Sequence, residues 1–122
     1  MAEAEIVFVS VPPSTTINIP LLPLVLSPGI TLDENKFLVP SGMYMGTIRV
    51  QVASLTSEYC TVWFSNGTGM FSQALKVEET SNWFLVNALL WLPLAGYIQI
   101  GATGGSGESI VSGGGVTIAR LF

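Results

Sequence analysis

Hydrophobic and polar positions along this chain alternate with a period of two, and almost nowhere with the period of a helix. The clearest case runs from Met43 to Leu55. There Tyr44, Gly46, Ile48, Val50 and Val52 share one parity, while Met45, Thr47, Arg49 and Gln51 share the other. Successive side chains of a strand point to opposite faces, so the first set reads as core-facing and the second as outward-facing. Glu5 to Val11 reads as a first strand stopped by Pro12-Pro13, and in Thr15 to Ile19 both isoleucines fall on one face. Leu21 to Ser27 is apolar but broken by Pro20, Pro23 and Pro28. Proline has no N–H to give a ladder, which makes this stretch an edge strand or an extended arm. Lys36 to Val39, Tyr59 to Ser65, Thr68 to Val77, Trp83 to Leu92, Tyr97 to Ala102, Ser109 to Ser112 and Val116 to Phe122 complete the set of strand-like runs.

The punctuation between these runs fits the same picture. Thirteen glycines and seven prolines cut the chain into short pieces. Asp33-Glu34-Asn35 reads as a polar turn, Pro40-Ser41-Gly42 and Pro93 to Gly96 as corners, and Glu78 to Asn82 as a further turn. Asn66-Gly67 carries the signal of a two-residue hairpin, since both central residues of a type I′ turn need positive φ. Thr103 to Glu108 and the glycines 113 to 115 read as flexible connections. Short strands at regular spacing predict an all-β fold, a jelly-roll β-sandwich of about 8–9 antiparallel strands. Residues 1–122 read as a single domain, with 1–28 an extended N-terminal arm or edge strand.

Composition changes the picture in one respect. Hydrophobic residues make up 49% of the chain and charged residues only 10%, against about 25% charged in ordinary soluble domains. A free monomer normally carries more charge on its outer faces. The deficit points to a surface covered by partner subunits. The net charge of −4 includes only four cations, Lys36, Arg49, Lys76 and Arg120. They are scattered, which argues against both a nucleic-acid track and a polybasic membrane patch. Trp83 to Ile100 is apolar, but Asn87, Pro93, Gly96 and Gln99 interrupt it and no basic anchors flank it, so it is not expected to span a membrane. The acidic start Met1-Ala-Glu-Ala-Glu does not resemble a secretory signal. Cys60 stands alone in a strand-like context, where it reads as a small core hydrophobe.

Candidate chemistry is thin. The chain has no histidine, which removes the Ser-His-Asp arrangement and the commonest metal ligand. Asp33-Glu34 and Glu78-Glu79 are adjacent carboxylates in turns beside Lys36 and Lys76, and they read as charged loop tips and not as a glycosidase pair or a calcium loop. The glycine-rich stretch 101–115 lacks the G-K-[ST] ending of a phosphate loop. Asn66-Gly67-Thr68 matches a glycosylation acceptor but reads as a hairpin tip. No catalytic, cofactor-binding or metal-binding residue is assigned, and no cofactor is expected. Trp63 and Trp83 read as core or interface residues, with a sugar-stacking platform as the alternative.

Two stretches resemble the complement and tumour necrosis factor-like trimeric jelly roll. Phe37-Leu38-Val39-Pro40-Ser41-Gly42-Met43-Tyr44 is similar to that family's entry into a long core strand, with the tyrosine dropping into the core. Leu94-Ala95-Gly96-Tyr97-Ile98-Gln99-Ile100 is similar to its penultimate strand, followed by a glycine-rich excursion and a terminal strand from Gly115 to Phe122. Tyr97 stands where the family usually has Asp after the glycine, and no collagen-like stem is seen. Those departures point away from a secreted signalling ligand. They point toward the stemless jelly rolls of bacteriophage capsid decoration (cement) proteins and fibre heads. The resemblance implies a non-enzymatic viral structural protein that stabilises a phage head. It would be made in the host cytoplasm and carried on the virion's capsid surface as a homotrimer that meets the major capsid protein. A receptor- or glycan-binding fibre head is the alternative it implies.

Overall fold

The computed structural model describes residues 1–54, 59–77 and 82–122. Twelve strands follow one another: β1 (Ala2–Ile6), β2 (Val9–Val11), β3 (Thr16–Asn18), β4 (Leu21–Leu26), β5 (Thr31–Asp33), β6 (Lys36–Val39), β7 (Gly42–Ser54), β8 (Tyr59–Ser65), β9 (Met70–Lys76), β10 (Asn82–Leu92), β11 (Gly96–Gly104) and β12 (Ser109–Arg120). They form two antiparallel sheets. Sheet A has the order β10-β7-β12-β1-β4, with β2 also on β12, and sheet B the order β5-β6-β11-β8-β9, with β3 also on β11. The two sheets face each other as a jelly-roll β-sandwich.

The core is what the period-two pattern dictates. On β7 the buried set is Tyr44, Gly46, Ile48, Val50 and Val52, and the alternate residues face outward. Phe37, Val62, Phe64, Ile98, Ile100, Val116 and Ile118 meet that set from the other strands and are fully or almost fully buried. Tyr44 reaches the core as its sequence context implied, and its hydroxyl donates to the Pro40 carbonyl at 2.7 Å. A buried phenol needs such a partner.

The eleven strand-like runs of the sequence, more than the eight or nine expected of the sandwich, become twelve strands through two gains and one merger. The run Glu5 to Val11 divides into β1, which begins at Ala2, and β2, and the short β5 forms where only a turn was read. In the other direction, Ser109 to Ser112 and Val116 to Phe122 are not separate: β12 runs through the glycines as one strand ending at Arg120. A register shift against β7 between Val111 and Gly113 absorbs one extra residue, as β-bulges do.

The type I′ signal also lies elsewhere than expected. Asn66 does not have positive φ, and the β8–β9 connection is a four-residue loop from Asn66 to Gly69 closed by the Ser65–Met70 pair. Asn66 holds this loop with its side chain, accepting from Gly69 N at 2.8 Å and Thr68 N at 3.1 Å and donating to the Trp91 carbonyl at 2.9 Å. Asn side chains imitate a backbone turn in this way. The two consecutive positive-φ residues are instead Glu34 (49°) and Asn35 (63°), between the paired Asp33 and Lys36 of the β5–β6 hairpin. Leu55 and the turn residues 78–81 lie outside the described residues. Residues 1–28 form β1 to β4, with β4 at the free edge of sheet A.

Candidate functional site

The polar chemistry of the fold is sparse and dispersed. Among the described residues no group of three His, Cys, Asp or Glu side chains could hold a metal ion. Asp33 and Glu34 sit exposed at the β5–β6 hairpin, and Glu78-Glu79 lies outside the described residues. Cys60 is buried, and burial pushes its thiol above the ordinary value. A thiol so placed is a poor nucleophile. No helix among the described residues is long and apolar enough to cross a membrane.

The cations are held in an unusual way. Lys36 lies over the Tyr97 ring at 4.9 Å, Lys76 over Tyr59 at 5.2 Å and Arg49 over Trp83 at 5.5 Å. Arg120 donates to the Ser41 carbonyl at 2.7 Å. Aromatic faces attract cations through their quadrupole.

The three tryptophans have three different settings. Trp63 belongs by parity to the outer face of sheet B, yet it is only 5% exposed. Its ring lies against Gly101, where even one methyl group would collide with it. Trp83 and Trp91 stand at opposite ends of the outer face of β10, at 55% and 51% exposure. Trp63 was readable as buried only with Gly101 known to be beside it, and the strand pairing Gly101–Trp63 supplies that.

The candidate surface is the outer face of sheet A together with the two sides of the sandwich, where the exposed apolar residues and the groove lie. Pairing across the sheet lines residues up in rows. One row runs Leu22, Glu5, Gly115, Arg49, Leu85, and the next Val25, Glu3, Thr117, Thr47, Asn87. Beyond them lie Ala119, Met45 and Leu89, then Met43 and Trp91. Because Gly115 has no side chain, the charged rows enclose a groove of about 510 Å³. Glu3, Glu5 and Leu24 form one wall, and Arg49 and Leu85 the other. Leu22, Leu24, Val25 and Leu26 make both faces of the edge strand β4 apolar and exposed. On the opposite side, Met70 and Phe71 of β9 are exposed as well. Phe71 pairs with the fully buried Phe64 and shares its inward parity, yet is 42% exposed. The core is therefore open at the β9 side.

No protein-family model matches the sequence, and neither does any curated protein. Solved structures do match over almost the whole chain. The PRD1 vertex protein P5 superposes with a TM-score of 0.74 at 12% identity, covering 99% of this chain and 97% of that one. Murine APRIL at pH 8.0 gives 0.67 at 14% identity, with 98% of each chain covered. Eiger TNF from S. frugiperda gives 0.63 at 15% identity, covering 98% of this chain and 92% of that one. At these identities the likeness is one of fold. Two antiparallel sheets, a long core strand entered through Pro40-Ser41-Gly42, and the tyrosine buried behind that corner give this chain a jelly-roll fold like that of TNF-like domains and the PRD1 vertex protein P5.

Proposed function

We propose that this chain is a non-enzymatic structural protein of a phage virion. It works as a homotrimer on the capsid surface, where it decorates or cements the shell through the major capsid protein. The observation that carries this reading is the pair of unlike apolar sides, β4 on one flank of the sandwich and the open β9–β10 flank on the other. Contiguous apolar surface of this kind marks a protein contact. A two-fold dimer uses the same patch twice and leaves the other flank bare. A head-to-tail contact joins the two unlike flanks and closes into a ring. The fold likeness to the vertex protein of phage PRD1 supports the virion setting, and the likeness to TNF-like domains supports a ring of three. The low charge content fits a surface of which much is covered.

Native mass spectrometry of the purified chain is expected to give the mass of three copies. Added to particles of the source virus stripped of it, the chain is expected to rebind in saturable fashion and raise the temperature at which the particles release DNA. A stable monomer, or particles with unchanged heat resistance at saturation, overturns the reading. A glycan-binding fibre head has one observation in its favour, a shallow hollow of about 180 Å³ lined by Asn66, Thr68, Trp91 and Leu94. Saturable binding on a glycan array that is lost in Trp91→Ala would favour that alternative.

A further inference from the structure

We propose that Asn66 is a site of covalent modification, the self-conversion of its amide to aspartate and isoaspartate through a succinimide ring, and that the β8–β9 loop holds this reaction shut in the folded chain. The inference goes beyond the assembly proposed above and does not rest on it.

The fold needs both residues of the Asn66-Gly67 step for its own reasons. Gly67 has φ of +89°, and a methyl group on it would lie 3.2 Å from Cζ and from the hydroxyl of Tyr97. A larger residue is therefore strained there by backbone and by packing alike. Asn66 is needed because its side chain holds the loop. Its Oδ1 accepts from Gly69 N at 2.8 Å and from N and Oγ1 of Thr68, each at 3.1 Å. Its Nδ2 donates to the Trp91 carbonyl at 2.9 Å, which ties this loop of sheet B to β10 of sheet A. Among the asparagines of the chain only Asn66 precedes glycine.

That adjacency carries a chemical liability, since glycine has no side chain to keep its nitrogen away from the asparagine amide. The Gly67 nitrogen gives up its proton and bonds to Asn66 Cγ. The Cγ–Nδ2 bond breaks, and ammonia leaves with that proton. Water then adds to either carbonyl of the ring, opening it to aspartate or to isoaspartate, whose main chain runs through the former side chain. Neither opening restores the amide, and asparagine is thermolabile on this account.

The native loop opposes the first step at both reacting groups. The Gly67 N–H donates to Ser65 Oγ at 3.2 Å, so the attacking nitrogen is engaged. Ring closure needs Cγ turned onto that nitrogen, whereas the amide is held toward the nitrogens of Thr68 and Gly69 and toward Trp91 on the other sheet. The reaction therefore waits for the loop to open, and its rate in the folded chain is the unfolded rate scaled by the fraction of time spent open. After conversion the loop cannot close as before. Aspartate has no N–H for the Trp91 carbonyl, and isoaspartate adds a main-chain atom between the paired Ser65 and Met70. The hollow lined by Asn66, Thr68 and Trp91 also gains a carboxylate in its wall. Residue 66 thus records irreversibly how long the loop has stood open.

The test is peptide mapping by mass spectrometry of the full chain and of Ser65→Ala. Each is aged in mildly alkaline buffer at one protein concentration, folded and in urea, and chromatography of the loop peptide resolves isoaspartate. In urea, residue 66 is expected to convert faster than any other asparagine of the chain. In the folded chain it is expected to convert on the order of 10–100 times more slowly. Ser65→Ala frees the Gly67 N–H and is expected to speed conversion in the folded chain about threefold or more, with the rate in urea unchanged. If residue 66 in urea converts no faster than the other asparagines, the site is wrong. Equal rates in the folded and unfolded chain overturn the lock. A folded Ser65→Ala chain as slow as wild type overturns the part assigned to the Gly67 N–H. Should Ser65→Ala fail to fold, Thr68→Ala takes its place with the same expectation, because residue 68 is exposed and its hydroxyl bonds Asn66.

Discussion

Gly46→Ala tests how the core is built. Gly46 lies at the centre of sheet A on β7, paired with Ala88 of β10 and Ile118 of β12, and its missing side chain points between the sheets. A methyl group there would lie 2.7 Å from Cζ and 2.8 Å from Cε1 of Phe64, which belongs to sheet B and is fully buried. Carbon atoms at rest sit about 3.5–4.0 Å apart, so the ring must withdraw by roughly 1 Å. Overpacking of this kind costs about 1–3 kcal/mol. Alanine in place of glycine in a strand returns about 0.5–1 kcal/mol of backbone entropy, and φ at Gly46 is ordinary. The net expectation is destabilisation by roughly 1–2 kcal/mol. Phe64→Leu alone costs about 1–2 kcal/mol through lost volume. With the ring tip gone the added methyl has room, so the double variant is expected to fall short of the summed cost by about 1 kcal/mol. Urea unfolding at one fixed protein concentration measures all three, the concentration being held because association adds to stability. A Gly46→Ala chain as stable as wild type, or costs that add to within about 0.5 kcal/mol, would refute the contact.

Gly101→Ala forces Trp63 off its seat; a loss of about 2 kcal/mol or more and easier quenching of tryptophan fluorescence by acrylamide are expected, and unchanged quenching would contradict the placement. Asn66→Ala removes the side-chain bonds to Gly69, Thr68 and Trp91. A cost of about 1 kcal/mol is expected, with faster amide exchange in the loop 66–69 and little change in sheet A. Tyr44→Phe loses the bond to Pro40, at about 1 kcal/mol near neutral pH. It also changes the alkaline limb of stability. Burial raises the Tyr44 phenol above its ordinary value, an effect the nearby Arg120 opposes. Stability from that shift is present below about pH 10 and is lost as pH rises through the folded value. The phenylalanine variant is therefore expected to show a shallower fall above about pH 10, read by urea unfolding from pH 8 to 11.

Parity within one strand was fully legible: the alternation on β7 sorts its inward and outward residues without error, and the prolines around β4 mark an edge strand. The hairpin at Asn66-Gly67 was misread because Thr68 and Gly69 extend the loop far enough for the Asn66 amide to hold it, and that bond competes with the tighter turn. The turn at Asp33-Glu34-Asn35 was read as a turn, but its tight two-residue form at Glu34-Asn35 was not, because glutamate seldom takes positive φ. The glycine triplet read as a connection because nothing local shows that β7 and β1 flank it on either side. The groove is illegible for the same reason. Its walls come from Glu3, Glu5, Leu24, Arg49 and Leu85, which meet only through pairings that span most of the chain. The buried Trp63 likewise depends on a glycine 38 positions later.

The positions of β11 and β12 have a kinetic side. Each is the central strand of its sheet: β12 bridges β7 to β1, and β11 bridges β6 to β8. During synthesis the first 95 residues therefore possess flanking strands with nothing between them, and neither sheet can close until residues 96–120 arrive. Such non-local topologies fold in about milliseconds to seconds and not microseconds. By the same logic they resist unfolding, because a central strand cannot leave without breaking ladders on both sides. A molecule built this way is held by the height of its unfolding barrier as much as by its equilibrium stability. Slow assembly and slow loss then share one origin, the late arrival of the two strands at the middle.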